Sequence, residues 1–407
     1  MKKKLAALTA AVLGLGSMTA CGTPKTEIPD FEIPTNILDT AAAEIPEITV
    51  DSYAVPESEG LQFVESLRLG WNLGNTFDAS DCNVQDEMDY EKAWCGTYTT
   101  IEDIAAVKAA GFQTVRIPVS WHNHVDENFR ISKAWLTRVK EVVDWCIACD
   151  LHVIVNTHHD NAEEYYYPDT AHLESSKAYL SAVWSQLGKA FRDYDDRLIL
   201  ESMNEPRLVG TNYEWILDES SPQGKDAVAC INILNQLFVD TIRSSGGGNV
   251  TRYLLCPGYA ASADGALADG FALPEDAQNR VIVSVHSYTP YDFALNTKGT
   301  DAFDRKNPSD SNPVLMIMDD LYGKFVMNGI PVLLGEFGAL NKDNLEARID
   351  YTAFYVAAAR AHGMTCCWWD NNSFAGSGEN FGLLFRKTAT YNYPDIVKAM
   401  LAYCDAK

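Results

Sequence analysis

The sequence predicts an α/β protein built as a (β/α)8 barrel, a TIM barrel, and three observations lead there. Eight short runs are apolar almost throughout: 68–75, 114–121, 152–159, 198–206, 253–259, 281–288, 331–338 and 365–371. Segments with the spacing of amphipathic helices separate them. In run after run the start is apolar and the end carries polar, chemistry-bearing side chains. Strands that are hydrophobic on both faces belong to a parallel sheet covered by helices, and eight close into a barrel whose functional groups gather at the C-terminal rim. A doubly wound open sheet is the structural alternative, and it would scatter several of those groups along an edge.

Taken in order, the first strand carries Asn72 and Asn75 and leads into a polar insertion holding Cys82 and Cys95. A helix over 101–110 precedes the second strand, where Arg116 is followed by Trp121. The helix 133–149 feeds the third strand, which ends in His158-His159-Asp160. The helix 177–194 feeds the fourth, which ends in Asn204-Glu205-Pro206. After the helix 227–244 and the fifth strand, the gap to the sixth lacks a full helical pattern. The sixth strand carries His286 and Tyr288, the helix 314–328 follows, and the seventh strand ends at Glu336. The helix 345–362 leads to the eighth strand, which ends in Trp369-Asp370-Asn371 before a last helix at 395–403.

Glu205 and Glu336 carry the strongest chemical signal. A lone Glu at a strand end reads better as a salt bridge. On the fourth and seventh strands, however, two carboxylates lie across the barrel mouth from each other, near the roughly 5 Å used in retaining glycoside hydrolysis. Their neighbours separate their roles. Asn204 stands ready to donate to a sugar hydroxyl and Pro206 restricts the backbone of Glu205, the general acid/base. Arg116 favours a charged Glu336 and Tyr288 can donate to it, which suits a nucleophile. Two such close carboxylates are expected to push one pKa up while the other stays low.

Other chemistries fit the polar strand ends less well. His158-His159-Asp160, or His122 with His124, could ligate a metal, but successive strand residues point to opposite faces and no third donor stands at ligand spacing. Hydrogen bonding to sugar hydroxyls is preferred for His158 and His159, and no metal is assigned. No G-x-S-x-G elbow supports a nucleophilic serine. Trp135, Trp145 and Trp184 lie in helical patterns and read as core. Trp121 and Trp369, at strand ends, are placed to stack on pyranose rings, although Trp368 beside Trp369 leaves open which ring faces the sugar.

The 407-residue chain carries a formal charge of −24, which repels nucleic acid and anionic lipid headgroups but leaves a neutral polymer unaffected. Lys2-Lys3-Lys4, an apolar stretch from Leu5 to Leu15 and then Gly16-Ser-Met-Thr-Ala20 have the layout of an export signal. Met18-Thr19-Ala20-Cys21 resembles a bacterial lipobox, so residues 1–20 are expected as a lipoprotein-type signal with Cys21 acylated. A signal cleaved without lipid attachment is the alternative. Residues 21–56, acidic and broken by Pro24, Pro29, Pro34, Pro46 and Pro56, read as a flexible linker. Residues 57–407 form the one remaining domain. No later stretch approaches the roughly 20 apolar residues of a membrane span, so the lipid is the only expected membrane contact. Of ten cysteines, Cys82 and Cys95 are the best disulfide candidates, Cys256, Cys366 and Cys367 read as core thiols, and Cys146 and Cys149 lie in a helical pattern without redox context.

Six ordered motifs then carry a resemblance: Gly70-Trp-Asn-Leu-Gly-Asn-Thr76, Val115-Arg-Ile-Pro-Val119 with Ser120-Trp-His-Asn-His-Val125, Asn156-Thr-His-His-Asp160, Met203-Asn-Glu-Pro206, Val285-His-Ser-Tyr288 and Leu334-Gly-Glu-Phe-Gly338. Together they resemble the family five glycoside hydrolases of clan A, and the Trp-His-Asn-His run resembles the endo-β-1,4-glucanase and xyloglucanase subfamily, subfamily four. The resemblance implies family positions at Arg116, His158, Asn204, Glu205, His286, Tyr288, Glu336 and Trp369. It also implies retention of anomeric configuration, no cofactor, and a non-proline cis peptide following Trp369.

The expected protein is an extracytoplasmic endo-β-1,4-glucanase, tethered or secreted, acting on cellulose-like glucan, mixed-linkage β-glucan or xyloglucan. A β-mannanase on the same fold and a non-catalytic glycan-binding lipoprotein are the alternatives. Nothing in the sequence demands more than a monomer.

Overall fold

A computed structural model describes residues 28–406; the expected export signal and Cys21 lie outside them. Eight parallel strands close into a barrel in chain order. They are β1 (Gly70–Leu73), β2 (Thr114–Ile117), β3 (His152–Asn156), β4 (Leu198–Glu201), β5 (Leu254–Pro257), β6 (Val281–His286), β7 (Val332–Phe337) and β8 (Thr365–Asp370). Closure comes from β1 pairing with β8, Gly70 opposite Cys367 through Leu73 opposite Asp370. Every expected strand is present, each beginning near its expected start and ending earlier, because the polar strand-end residues leave the ladder to form the rim. The helices follow the expected periodicity, and the connection between β5 and β6 holds a 3-10 turn at Tyr259–Ala261 and one five-residue α-helix, Ala263–Leu267.

Alternation along each strand sorts the side chains into two populations. Outward residues such as Val153, Val155, Leu198, Leu200, Val283 and Val285 join the large apolar layer beneath the helices. Inward residues Ile154, Ile199, Leu255, Ile282, Leu333 and Cys367 make a separate, smaller cluster inside the barrel. Val64 of the helix Glu59–Ser66, with Leu67, plugs that cluster from the N-terminal end. Space there is tight: a β-carbon on Gly70 would lie 2.2 Å from the Cys367 sulfur. The next inward layer turns polar, with Asn72, Arg116, Asn156, Glu201, Ser284 and His286 all buried.

Two expectations are corrected here. Residues 28–56, read as a flexible linker, lie against the barrel as an irregular strap, with Ile28, Phe31, Ile37, Leu38, Ile48 and Val50 packed on the apolar layer. The Asp395 carboxylate accepts the amides of Ala42 and Ala43, the Tyr403 hydroxyl bridges Pro46 and Ile48, and the amide of Tyr53 donates to the carbonyl of Ala361. Scattered apolar side chains suffice for this packing without any period that a sequence scan would find. Cys82 and Cys95, read as a disulfide, are both free. The Cys95 thiol donates to the carbonyls of Glu91 and Thr97, and that of Cys82 to Ser80. Cys256, Cys366 and Cys367 are buried thiols, as expected.

Candidate active site

The polar layer is organised around Arg116, which is fully buried. Its Nε donates to Glu201 at 2.8 Å, Nη1 to Glu336 at 2.8 Å and to Asn72 at 3.0 Å, and Nη2 to Asn204 at 2.8 Å. Burial works against the guanidinium's charge, but Glu201 and Glu336 outweigh it and raise its pKa. With its carbonyl oxygen held by Arg116, Asn204 keeps its amide nitrogen for a ligand.

Glu336 reaches this site through a break in register. Val285 pairs with Leu334, yet His286 pairs with Glu336, so Gly335 is an extra residue in β7. Strict alternation from inward Leu333 would turn Glu336 outward. The bulge restores it to the face of inward His286. Tyr288 then donates to Glu336 at 2.9 Å.

Glu205 lies just beyond β4, its side chain 17% exposed. His286 Nδ1 is 2.9 Å from one of its oxygens and 3.7 Å from Glu336. One oxygen of Glu205 and one of Glu336 lie within 4.8 Å, in keeping with the separation expected for a retaining pair. Burial would raise the Glu205 pKa, but the hydrogen bond and charge of His286, then Arg207 and His159, carry it below its ordinary value. Burial opposes charge on His286 too, yet Glu336 and Glu205 raise its pKa. The expected upward push on one carboxylate is therefore not what the resting site shows for Glu205. Both members of the Glu205–His286 hydrogen bond are instead shifted in favour of their charged forms.

Around the pair, His158 stacks parallel to Trp369, ring centroids 5.8 Å apart at 4°. Burial holds His158 well below its ordinary pKa and lowers His159 to about 4, so both present neutral imidazoles. Trp369 shares the inward face of Cys367 and approaches Gly74, where a β-carbon would lie 2.8 Å from its ring. Trp368 points outward, its indole donating to Phe381, so the choice between the two rings falls on Trp369.

The chain matches a known family. The family model Cellulase (glycosyl hydrolase family 5) matches residues 77–375. The chain belongs to glycoside hydrolase family 5. It is 40% identical over 344 residues to Endoglucanase A of Clostridium longisporum, a match covering 84% of this chain and 65% of that longer protein. Among solved structures it resembles a mutant family 5 lichenase from Caldicellulosiruptor sp. F32 in complex with cellotetraose. The identity is 50%, the TM-score 0.88, and 89% of this chain and 100% of that one are covered. A GH5-4 broad-specificity endoglucanase from Ruminococcus champanellensis with bound cellotriose is 41% identical, with a TM-score of 0.79 and coverage of 86% and 100%.

Several expectations for this family 5 hydrolase need correction. Trp121 is fully buried, its indole donating to the carbonyl of Asn156 at 2.9 Å, and offers no face to a sugar. Asn75 keeps its place at the rim, at φ 57° in the turn after β1 with its backbone amide donating to Asp78, while Asn72, deeper in β1, enters the Arg116 network. The peptide after Trp369 is trans, Thr289–Pro290 being the cis bond among the described residues. Asp370 accordingly stays in the β8 ladder, its carbonyl accepting the amide of Gly74. A third donor does stand beside His158 and His159: Asp78 brings an oxygen within 4.8 Å of both rings. Its two oxygens accept the amides of Asn75 and Thr76. Sequence reasoning missed Glu201, Asn156 and Arg207 as members of the hydrolase site. Glu201 was hidden in a run read as apolar, and only its inward parity could have exposed it.

Proposed function

We propose that the chain is an endo-β-1,4-glucanase that cleaves internal bonds of cellulose-like glucan, mixed-linkage β-glucan or xyloglucan by double displacement. The observation that carries this reading is Arg116 holding Glu336 from one side while Tyr288 holds it from the other, with Glu205 within reach across the site. Glu336 attacks the anomeric carbon as Glu205, sharing a proton with His286, protonates the leaving oxygen. Glu205 then takes a proton from water that releases the sugar from Glu336. Asn204 donates to a hydroxyl of the reacting sugar, Trp369 supplies the ring beneath it, and His158, His159 and the rim residue Asn75 line the approach.

The substrate class rests on similarity to enzymes whose structures hold cellotetraose and cellotriose. Release of reducing ends from carboxymethylcellulose, lichenan, xyloglucan, xylan and mannan tests it. Activity confined to mannan would overturn the glucanase reading. NMR of the first product should show the β-anomer, and an α-anomer first would refute double displacement.

We further propose that the enzyme acts outside the cytoplasm, held by lipid on Cys21. Among the described residues no helix is long and apolar enough to cross a membrane. Metabolic labelling with palmitate should mark the wild type and not Cys21→Ser, and an unlabelled wild type would remove the anchor.

A further inference from the structure

Arg116 serves two carboxylates, and only one of them can reach a substrate. Glu201 lies one layer below the mouth with no solvent exposure. One of its oxygens accepts Arg116 Nε at 2.8 Å and Asn156 Nδ2 at 3.1 Å, and the other accepts Ser284 Oγ at 2.6 Å. A buried carboxylate is costly unless paired and fully bonded, and this one meets both conditions. Its partners come from β2, β3 and β6, so it fixes the guanidinium against three strands.

We propose that Glu201 is a positioning residue that divides the charge of Arg116 with Glu336 and so sets the basicity of the nucleophile. The proposal rests on the reading of Glu336 as nucleophile. With Arg116 undivided, Glu336 would face a full positive charge at 2.8 Å, be tightly held as carboxylate and attack weakly. Glu201 takes up part of that charge from below. The ionisable groups facing Glu336 are Arg116 from β2, Glu205 beyond β4, His286 from β6 and Tyr288 just past it, Cys367 from β8 and Glu379 on the loop after β8. Glu201 is the carboxylate that shares Arg116 with it from the layer below.

Glu201→Gln tests this with little disturbance of packing. The amide oxygen can keep the bonds from Arg116 and Asn156, and the Ser284 hydroxyl can turn to accept from the new NH2. With β-glucan as substrate, the acidic limb of the pH–kcat/KM profile should move to lower pH by about half a unit to one unit. The kcat should fall about 10- to 100-fold while KM stays within a factor of about two. Ser284→Ala keeps the charge of Glu201 but removes its 2.6 Å donor, turning more of its field on Arg116, so the limb should move the other way. Ser284→Ala carries the test by itself should Glu201→Gln not fold. A purely structural Glu201 leaves both limbs where the wild type has them, and that result, or movement in the opposite directions, overturns the proposal. Trapping the wild type with a 2-fluoro-glycoside and locating the label by mass spectrometry tests the underlying reading separately. Label on Glu336 with unmoved limbs sinks the role of Glu201 alone, and label elsewhere sinks the assignment of the nucleophile.

Discussion

His286 and Glu336 stand opposite each other across the β6–β7 ladder because Gly335 is an extra residue in β7. That register aims Glu336 at Arg116. A β-carbon on Gly335 would lie 3.2 Å from the His286 ring and 3.3 Å from Ser284 Oγ. Gly335→Ala should therefore push His286 away from Glu205 and lower kcat/KM by about 10- to 100-fold. The stability cost should stay within about 1–3 kcal/mol. Steady-state kinetics beside a thermal melt checks this, and unchanged kinetics would mean that the bulge tolerates a side chain.

The two carboxylates should fail differently. Glu336→Ala should abolish turnover of glucans while oligosaccharide binding, followed by calorimetry, survives. Glu205→Ala should cost about 10²–10⁴-fold on glucans. It should cost far less on aryl glycosides whose leaving groups need no proton, and azide should rescue it. Equal losses on both substrate types would contradict the acid/base assignment.

Tyr288→Phe isolates one hydrogen bond to a charged carboxylate. Such bonds contribute about 1.5–3 kcal/mol, so kcat/KM should fall about 10- to 150-fold with the melting temperature little changed. A variant as active as wild type would show that Arg116 alone suffices to hold Glu336.

Trp121 and Trp369 give a clean contrast. Trp121→Ala should lose about 3–5 kcal/mol of stability, because the indole is buried and caps the carbonyl of Asn156. Trp369→Ala should chiefly raise KM for oligosaccharides. Chemical denaturation and kinetics on both variants decide, and a raised KM in a fully stable Trp121→Ala protein would return that ring to the substrate.

His122 offers a pH-dependent stability. Burial alone would keep its ring neutral, but Asp160 at 3.0 Å and then Asp81 outweigh it and raise its pKa above 6.5. A folded value above the unfolded one stabilises the fold fully below about pH 6.5, and the stabilisation disappears as pH rises through the folded value. Urea unfolding of the wild type and His122→Gln should show a stability difference that is full below about pH 6.5 and narrows as pH rises beyond it. A constant difference would mean that the ring does not titrate there.

Much of this architecture is legible in the chain. The eight strands show because both their faces are buried, and Glu205 and Glu336 show because each breaks an apolar run near its C-terminal end. What failed to show depends on partners remote in sequence. Glu201 looks like the polar end of an apolar run until Arg116, Asn156 and Ser284 arrive from three other strands. Trp121 and Trp369 look alike as strand-end indoles, but Trp369 is held on the inward face of β8 whereas Trp121 lies beyond the end of β2, where the backbone turns its ring into the core. The bulge at Gly335 is a matter of pairing, which no single strand contains. The strap over 28–56 has the composition of a linker and the contacts of a scaffold.

That strap also bears on the order of assembly. Ala42 and Ala43 dock on Asp395, and Pro46 and Ile48 on Tyr403, each more than 350 positions further along the chain. The beginning of the described chain thus finds its seat only after the last helix exists, just as β1 must wait for β8. Loop closure of that length precedes any reward from the contacts it makes. A polypeptide emerging from its amino end cannot seat the strap until Asp395 and Tyr403 are free, and a truncation near Asp395 would release it.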